Sequence, residues 1–394
     1  MAKSLEVIDE RVCVELTKRL IKHESTSGNE KKLATLMAIE MKKAGFNLVQ
    51  FDEKSYDIIG VMPGLGKGKT LVLAGYIDTV PAGTMQNPFS AQEMDGTKLG
   101  TKGKVIYGRG ACDMKAALAA MISAGAALKR SRARLKGNFA IVGLANAKTG
   151  KSSSLKKLLQ KFELNPDYVV ACAPTNLDVN IAHPGQATYE IVTKGKMTNI
   201  GNPKKGENAI LKMTEIINCL LANTELPEDK RFGKANMFFS SILSNPVGES
   251  HSIPNACQSL LVRQIFEKEN PEKIREEFLN LLKKNNFKEE EIKIDIARYF
   301  KPLNINPKEE IISIIEEVTN IAIGKTPKIG QWSAGANISE IFDIGLPVVG
   351  YGPGDEQFAH TPIEHVLIDH VLKATRVYSV LAEKICVQMK DKSV

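Results

Sequence analysis

The chain has 394 residues, of which 43% are hydrophobic and 25% are charged. One hydrophobic core rarely extends over so long a chain, so the length predicts two domains, and the composition is that of a globular protein rather than a disordered one. The net charge is +8, the difference between 53 basic and 45 acidic residues. No aromatic residues are interleaved with the basic cluster at residues 129–136, so we expect no nucleic-acid partner.

The first 171 residues alternate between two kinds of apolar pattern. Helical spacing predicts helices, and short apolar runs predict strands. The predicted helices cover residues 6–22, 29–45, 116–128 and 152–162. The predicted strands cover residues 48–51, 58–62, 71–74, 139–144 and 168–171. This alternation is typical of an α/β domain with a mixed, largely parallel sheet and helices on both faces.

The pattern changes after residue 183. Strands are predicted at residues 187–192, 235–242, 257–265 and 291–297, and helices at residues 209–221 and 271–284. Their order is strand, helix, strand, strand, helix, strand, which is the split βαβ or ferredoxin-like arrangement. We therefore expect an inserted α+β domain at residues 184–298, with residues 1–183 and 299–394 forming the larger domain.

The cellular location of the protein is predicted from its apolar runs and its cysteines. No apolar run approaches the roughly 20 residues that span a bilayer, and residues 1–11 lack the apolar stretch of a signal peptide. Six cysteines are scattered without a paired pattern, which predicts free thiols in a reducing compartment. We therefore expect a cytoplasmic protein with no membrane partner.

Ligands of an open α/β sheet bind beyond the carboxyl ends of its strands. The loops at these ends and their neighbours contain five recognisable segments. They are residues 75–81 (Gly-Tyr-Ile-Asp-Thr-Val-Pro), 107–115 (Tyr-Gly-Arg-Gly-Ala-Cys-Asp-Met-Lys), 145–150 (Ala-Asn-Ala-Lys-Thr-Gly), 172–175 (Cys-Ala-Pro-Thr) and 350–362, which contains Gly-Pro-Gly and Ala-His-Thr-Pro.

In this order and spacing, the segments resemble those of the zinc-dependent aminoacylase, acetylornithine deacetylase and succinyl-diaminopimelate desuccinylase family of metallopeptidases. The last segment is similar to that of the branch known as selenium-metabolism hydrolases. The resemblance implies a catalytic domain with two zinc ions and an inserted lid domain that dimerises. It also implies that a glutamate deprotonates a metal-bridging water, which attacks an amide carbonyl, while a lid histidine of the other subunit stabilises the oxyanion.

The residues at the family's functional positions differ from those of an active enzyme. The resemblance places Tyr76, Asp113, Lys148, Ala173 and His360 at the metal-ligand positions, Ala147 at the general-base position and Asn199 at the lid-histidine position. Only Asp113 and His360 keep the family's ligand type. Asp78 and Asn146 stand where residues supporting the ligands are found. We therefore predict no zinc cofactor, and at most one weakly bound divalent metal on Asp113 and His360.

Lys148, at one of the ligand positions, has a further consequence for the site. An ammonium group at a ligand position repels a divalent cation, and it can neutralise a buried carboxylate that has lost its metal. We therefore predict an ion pair or a short water bridge between Lys148 and Asp113.

Structural roles compete with functional ones at several of these positions. Asp78 and Asp113 are interpreted as structural residues that orient loop amides. His360 either caps the Gly-Pro-Gly turn or keeps a role in the site. Cys112 and Cys172 are interpreted as small buried residues, and Arg109 as the ion-pair partner of Asp113.

The sequence leaves two functional hypotheses open. The first is a non-catalytic homologue that binds a small amino-acid-like or carboxylate ligand and forms a homodimer or a heteromer with an active paralogue. The ligand-binding candidates are Arg263, Asn199, Gly352 and Gly354, with Arg263 at the position of a lid arginine that binds substrate carboxylates in the family. The second is an active hydrolase of N-acyl amino acids or peptides with a rearranged one-metal or metal-free site.

Overall fold

A computed structural model describes residues 2–52, 54–66, 68–149, 155–248, 251–333, 341 and 344–387. The chain divides into two compact units. The first unit contains Met1–Ala182, Asn304–Trp332 and the C-terminal segment that includes residues 344–387, and the second contains His183–Leu303 together with Ser333. The second unit is therefore an insertion, and it extends five residues beyond the predicted boundary at 298 because its last strand is longer than predicted.

The first unit is built on an eight-stranded sheet. Its strands are β1 (Leu48–Phe51), β2 (Ile58–Met62), β3 (Leu71–Tyr76), β6 (Phe139–Leu144), β7 (Tyr168–Ala171), β8 (Val179–Asn180), β17 (Ile329–Gly330) and β18 (Val348–Gly350). Their order in the sheet is β1-β2-β6-β3-β7-β18-β8-β17. The central pairs β6–β3, β3–β7 and β7–β18 are parallel. The predicted fold class, a mixed and largely parallel α/β sheet, is confirmed.

Six described helices accompany this sheet. They are α1 (Glu10–Ile21), α2 (Lys31–Ala44), α3 (Ala116–Arg130), α4 (Leu155–Lys161), α7 (Glu310–Ile323) and α8 (Ile368–Val387). The predicted helix at 152–162 begins in residues 152–154, which lie outside the described part of the chain. Gly45 ends α2 in the left-handed conformation, with φ at 99°, which glycine adopts without steric cost.

Helix α3 is the central helix of the first unit and contacts α1, α2 and α8. The stretch Ala111–Arg130 is long and apolar enough to cross a membrane by length and composition, but 94% of its apolar window is buried inside the protein. The prediction that no apolar run approaches the roughly 20 residues that span a bilayer was therefore wrong. Burial identifies the stretch as a core helix, whose many alanines let the neighbouring helices approach closely.

The sequence did not predict the small three-stranded sheet of the first unit. Its strands β4 (Gln92–Asp95), β5 (Lys104–Tyr107) and β19 (His365–Leu367) are in the order β19-β5-β4. Strand β4 is polar and mostly exposed, and β5 has an apolar run only at residues 105–107, which is shorter than the run of about four to eight residues that marks a buried strand. Two further strands, β9 (Ala182–His183) and β16 (Leu303–Asn304), pair where the chain enters and leaves the second unit.

The second unit has the predicted split βαβ arrangement. Its main elements are β10 (Gly185–Lys194), α5 (Ala209–Asn223), β13 (Met237–Asn245), β14 (Ala256–Ile265), α6 (Pro271–Lys284) and β15 (Ile292–Phe300), with a small hairpin of β11 (Glu228–Asp229) and β12 (Gly233–Lys234). The antiparallel sheet has the order β13-β14-β10-β15. One face of this sheet packs against α5 and α6 through buried residues such as Tyr189, Leu261 and Phe278.

Candidate functional site

Four segments of the first unit bring the predicted site residues together. Strand β3 ends at Tyr76, and the loops after β6 and β7 carry Lys148 and Ala173. Because these strands are parallel neighbours, their carboxyl ends lie at one edge of the sheet. Asp113 comes from the segment immediately before α3.

The centre of this site is the Asp113 cluster, which we define as Tyr76, Asp113, Lys148 and His360. Lys148 Nζ lies 2.5 Å from Asp113 Oδ2, and His360 Nε2 lies 2.8 Å from the same oxygen. The Tyr76 hydroxyl donates to Asp113 Oδ1. The predicted ion pair between Lys148 and Asp113 is therefore confirmed as a direct contact.

The cluster is neutralised by its own residues. The side chains of Lys148 and Asp113 are only 6% and 5% exposed. Burial opposes ionisation of Asp113, but the charge of Lys148 and the hydrogen bond from His360 outweigh it and hold the pKa of this carboxyl well below its usual range. Lys148 also lies over the ring of Tyr76, 3.9 Å from its centroid, which adds a cation–π attraction.

Burial and the charge of Asp113 raise the pKa of Tyr76 well above its usual value. This hydroxyl is therefore neutral, and it donates its hydrogen bond to Asp113. His360 differs from the other members of the cluster because its side chain is 43% exposed. The ring of His360 thus belongs to the site, which answers the choice that the sequence left open between a turn cap and a site role.

Asp78 orients the loop that carries Lys148. Its carboxylate accepts hydrogen bonds from the backbone nitrogens of Ala147, at 3.2 Å, and Lys148, at 2.8 Å, and from the hydroxyl of Ser27, at 2.6 Å. Asn146 has a positive φ of 56°, and its backbone nitrogen donates to Glu30. The predicted structural role of Asp78 is confirmed, because its hydrogen bonds fix the loop on which Lys148 stands.

The prediction that Arg109 pairs with Asp113 was wrong. Arg109 forms a buried ion pair with Glu364, which also accepts hydrogen bonds from the backbone nitrogens of Cys112 and Asp113 at 3.2 and 3.1 Å. Glu364 is completely buried and holds the segment that presents Asp113. Sequence reasoning missed it because a single glutamate four residues after His360 carries no local signal.

The two cysteines beside the cluster are structural. Cys112 and Cys172 are completely buried. Burial, followed by the negative charge of Glu364, raises the pKa of Cys112 well above its usual value, and burial raises the pKa of Cys172 to about 12. Both thiols therefore stay protonated, as predicted for small core residues.

The residues that the resemblance places at the family's metal positions do not fit a pair of zinc ions. Ala173 and Ala147 offer no side-chain donor, and Tyr76 and Lys148 bring a neutral hydroxyl and an ammonium group to the remaining carboxylate. Among the described residues, no group of three or more His, Cys, Asp or Glu side chains is arranged to hold a metal ion. Zinc sites need about three or four such ligands in fixed geometry, so the donor chemistry of the cluster disagrees with that of a di-zinc centre.

The other ligand-binding candidates are placed as follows. Gly352 donates its backbone N–H to the hydroxyl of Thr175 at 2.9 Å, and a Cβ at this position would lie 2.3 Å from the carbonyl oxygen of Ala173. Gly354, with φ at 95°, accepts a hydrogen bond from the backbone nitrogen of Asn176. Both glycines therefore serve close loop packing, and their ligand role stays a prediction.

Arg263 and Asn199 belong to the second unit. Arg263 is 3% exposed, and its Nη2 donates to Glu269 at 2.7 Å. In the sheet it pairs with Ala187, a member of the core that faces α5 and α6, so Arg263 lies on the helix-facing side. Asn199 is exposed, and its side-chain oxygen accepts from the backbone nitrogen of Gly201 at 2.8 Å.

Comparisons with known proteins agree with this architecture. The sequence model of the peptidase family M20/M25/M40 matches residues 72–384. The chain is 24% identical to the uncharacterised protein YgeY of Escherichia coli (strain K12) over 91% of this chain and 90% of that one. It is 25% identical to the acetylornithine deacetylase of Myxococcus xanthus over 84% of each chain. The solved structure of the di-peptidase Dug1p from Saccharomyces cerevisiae is similar in fold, with a TM-score of 0.77 at 13% identity, covering 98% of this chain and all of that one.

Proposed function

The chain belongs to the peptidase family M20/M25/M40, and from this premise we propose that it is a member without two-metal hydrolysis that acts as a non-catalytic binding or partner subunit. One observation carries the proposal, namely the direct buried ion pair between Lys148 and Asp113. An ammonium group in contact with the carboxylate supplies the positive charge that metal ions would otherwise supply.

The chemistry of the neighbouring positions supports the same proposal. Hydrolysis of an amide needs a base that takes a proton from water, and the position of the family's general base is Ala147, whose side chain has no titratable group. Both oxygens of Asp113 already have hydrogen-bond donors, with Tyr76 on Oδ1 and with Lys148 and His360 on Oδ2. The charged groups of the cluster therefore bind one another rather than a substrate.

A second candidate function is a hydrolase of N-acyl amino acids or peptides that uses a rearranged one-metal or metal-free site. The half-exposed ring of His360 supports it, because Nε2 contacts the ionised Asp113. A carboxylate beside an imidazole fixes the orientation of the ring, as in hydrolases in which histidine is the general base.

We propose a homodimer, or a heteromer with an active paralogue, formed through the second unit. In the described sheet of this unit, β13 is an edge strand, and its residues Phe238, Ile242 and Leu243 are about half exposed. An edge strand with exposed apolar side chains favours pairing with another chain. We further propose a cytoplasmic location, which is supported by the six free cysteines.

The proposed function is tested by metal analysis and by assays of the purified protein. We expect less than one bound zinc per chain after dialysis against zinc, and no cleavage of N-acetyl amino acids or dipeptides with or without zinc. Two well-bound zinc ions with zinc-dependent cleavage contradict the proposal. Cleavage that resists chelators and disappears in both His360→Ala and Asp113→Asn supports the second candidate instead.

A further inference from the structure

The positive charge of the chain is concentrated in three short segments. Residues 41–47, 63–69 and 129–138 together contain nine lysines and arginines and no acidic residue. The other 44 of the 53 basic residues are outnumbered by the 45 acidic ones. These three segments therefore account for the whole net charge of +8.

The three segments, which we call the basic patch, meet in the first unit. Lys129 Nζ donates to the carbonyl oxygen of Lys43 at 3.4 Å, which joins the ends of α3 and α2. The backbone nitrogen of Leu65 donates to the carbonyl oxygen of Leu135 at 3.1 Å, which joins the second segment to the third. The nine basic residues are therefore brought together by folding rather than spread over the surface.

The basic patch lies away from the Asp113 cluster. Residues 63–69 lead into β3, and residues 131–138 lead into β6. These two strands are parallel neighbours, and the Asp113 cluster lies at their carboxyl ends. The patch is therefore at the opposite edge of the same sheet.

Most cations of the patch lack a counter-charge within the chain. Lys43 pairs with Glu40, and Lys69 pairs with Glu310. Six others have no ion-pair partner within 4.0 Å in the described part of the chain, namely Lys42, Lys129, Arg130, Arg132, Arg134 and Lys136. The helix dipole accounts for cations in the last turns of α2 and α3, but Arg132, Arg134 and Lys136 lie beyond both helices. Such a surface attracts an anionic partner.

An exposed leucine stands beside these cations. Leu65 is 74% exposed and lies in a glycine-rich loop. A Cβ at Gly64 would lie 2.3 Å from the carbonyl oxygen of Gly137, so the loop packs directly on the backbone of the third segment. An apolar side chain on a strongly basic surface favours a partner that is anionic outside and apolar inside.

Two other anionic partners fit these observations less well. Phe46 is the only aromatic residue of the three segments and is 2% exposed, so the patch offers no ring on which bases of a nucleic acid could stack. An acidic protein would need a pocket that matches Leu65. A bilayer accepts an apolar side chain at any place on its surface.

We propose that the basic patch binds an anionic membrane surface, with its lysines and arginines against lipid headgroups and Leu65 inserted at the boundary of the acyl chains. The contact is peripheral and reversible, because it combines electrostatic attraction with one apolar side chain. It needs no spanning segment, so it replaces the expectation of no membrane partner, which was based on apolar runs. It does not depend on whether the Asp113 cluster binds metal, so it goes beyond the proposed function.

Sedimentation of the full chain with lipid vesicles tests the proposal. The probes are vesicles of phosphatidylcholine alone and vesicles that also contain the anionic lipid phosphatidylglycerol. We expect binding to the anionic vesicles, with binding to phosphatidylcholine at least about tenfold weaker. The binding should be lost at high salt, because the Debye length falls from about 10 Å at 0.1 M to about 3 Å at 1 M. Equal binding to both kinds of vesicle, or binding to neither, overturns the proposal, and binding of duplex DNA or poly-glutamate instead assigns the patch to another partner.

A charge variant locates the binding. Arg132 and Arg134 are exposed, and the double variant Arg132→Gln with Arg134→Gln is expected to bind anionic vesicles about 25-fold more weakly, because each cation near such a surface contributes about fivefold. The matched control is Lys204→Gln with Lys205→Gln, which removes two exposed charges from the second unit. Unchanged binding in the arginine variant, or equal weakening in the control, overturns the proposal.

A second variant tests the inserted side chain. Leu65→Ser is expected to weaken binding to anionic vesicles at least about tenfold, because burial of a leucine side chain is lost. Val247→Ser, at a position of the second unit that is 77% exposed, is the control and should bind as the unchanged protein does. The thermal midpoint of each variant should stay within a few degrees, since the side chains are exposed. Unchanged vesicle binding by Leu65→Ser overturns the insertion of this residue.

Discussion

The ammonium nitrogen of Lys148 lies 2.5 Å from the carboxylate of Asp113, and the two residues are 35 positions apart in the chain. Lys148 follows strand β6 and Asp113 precedes helix α3, so their contact joins two segments at the edge of the sheet. Both side chains are almost completely buried. Each buried charge is therefore stabilised by the other.

Replacing Lys148 with methionine should destabilise the first unit strongly. The variant leaves the buried carboxylate of Asp113 without its ammonium counter-charge, and breaking a buried pair in this way costs about 3–5 kcal/mol of unfolding free energy. Urea unfolding at pH 7 measures the loss. The control is Lys161→Met, which removes the exposed pair with Asp52 and should cost less than about 1 kcal/mol. Adding Asp113→Asn to Lys148→Met should recover part of the loss. Equal effects of Lys148→Met and Lys161→Met would contradict the buried pair.

Restoring the family's ligand types should create zinc affinity. The triple variant Tyr76→His, Lys148→Glu and Ala173→Glu adds three ligands to Asp113 and His360 and removes the repelling ammonium group. We expect it to bind zinc more than about 100-fold more tightly than the unchanged protein, because changes in supporting residues alone alter metal affinity by 10–100-fold. Calorimetric zinc titration measures the gain. Lys148→Met alone removes the repulsion without adding a ligand, so it should gain little. Tight zinc binding by the unchanged protein would refute the interpretation of the cluster.

Stability should rise with pH just above neutrality because of Lys115. This side chain is almost completely buried and donates to the carbonyl of His23, and burial lowers its pKa from 10.5 to about 7. Between these values the unfolded chain holds a proton that the folded chain has lost, so raising the pH favours the folded state. From pH 7 to 8.5, the contribution approaches about 1.4 kcal/mol per pH unit. Unfolding free energies at several pH values should show a smaller slope for Lys115→Met than for the unchanged protein, and identical slopes would show that Lys115 does not titrate there.

Replacing Glu364 should lower the free energy of unfolding about as much as replacing Lys148 does. Glu364→Gln weakens the pair with Arg109, whose guanidinium group then lacks a buried counter-charge, and a cost of about 3–5 kcal/mol is expected. Glu310→Gln, at a largely exposed carboxylate that faces Lys69, is the matched control and should cost less than about 1 kcal/mol. Chemical unfolding measures both variants. A loss below about 1 kcal/mol in Glu364→Gln would show that the amides of Cys112 and Asp113 are held by other contacts.

Much of the fold was predictable because its signals are local. The strands at 48–51, 58–62, 139–144 and 168–171 have the predicted bounds. The last three are short apolar runs inside the sheet, and the strand at 48–51 lies at its edge. The three-stranded sheet was not predicted, because β4 is polar and the apolar run of β5 is short. Both strands are completed by pairing with each other and, for β5, with β19, which is distant in the sequence.

The site was predictable in part. The resemblance placed Tyr76, Asp113, Lys148 and His360 together, and charge balance predicted the contact between the lysine and the aspartate. Nothing local indicated that Glu364 would take Arg109 away from Asp113. Arg263 was also misleading as a sequence signal, because a strand residue faces one of two sides and only the paired sheet shows that it faces α5 and α6.

The sequence by itself determined the alternation of helices and strands and the insertion of a second unit, because periodicity is a property of short segments. The residue types at the ligand positions were read from the resemblance to the family. Only the tertiary structure decided which charges meet. Arg109 and Glu364 are 255 positions apart, and they meet only when the chain folds. Electrostatic and hydrogen-bond energies depend on distance and burial, and both are fixed only when distant segments pack together.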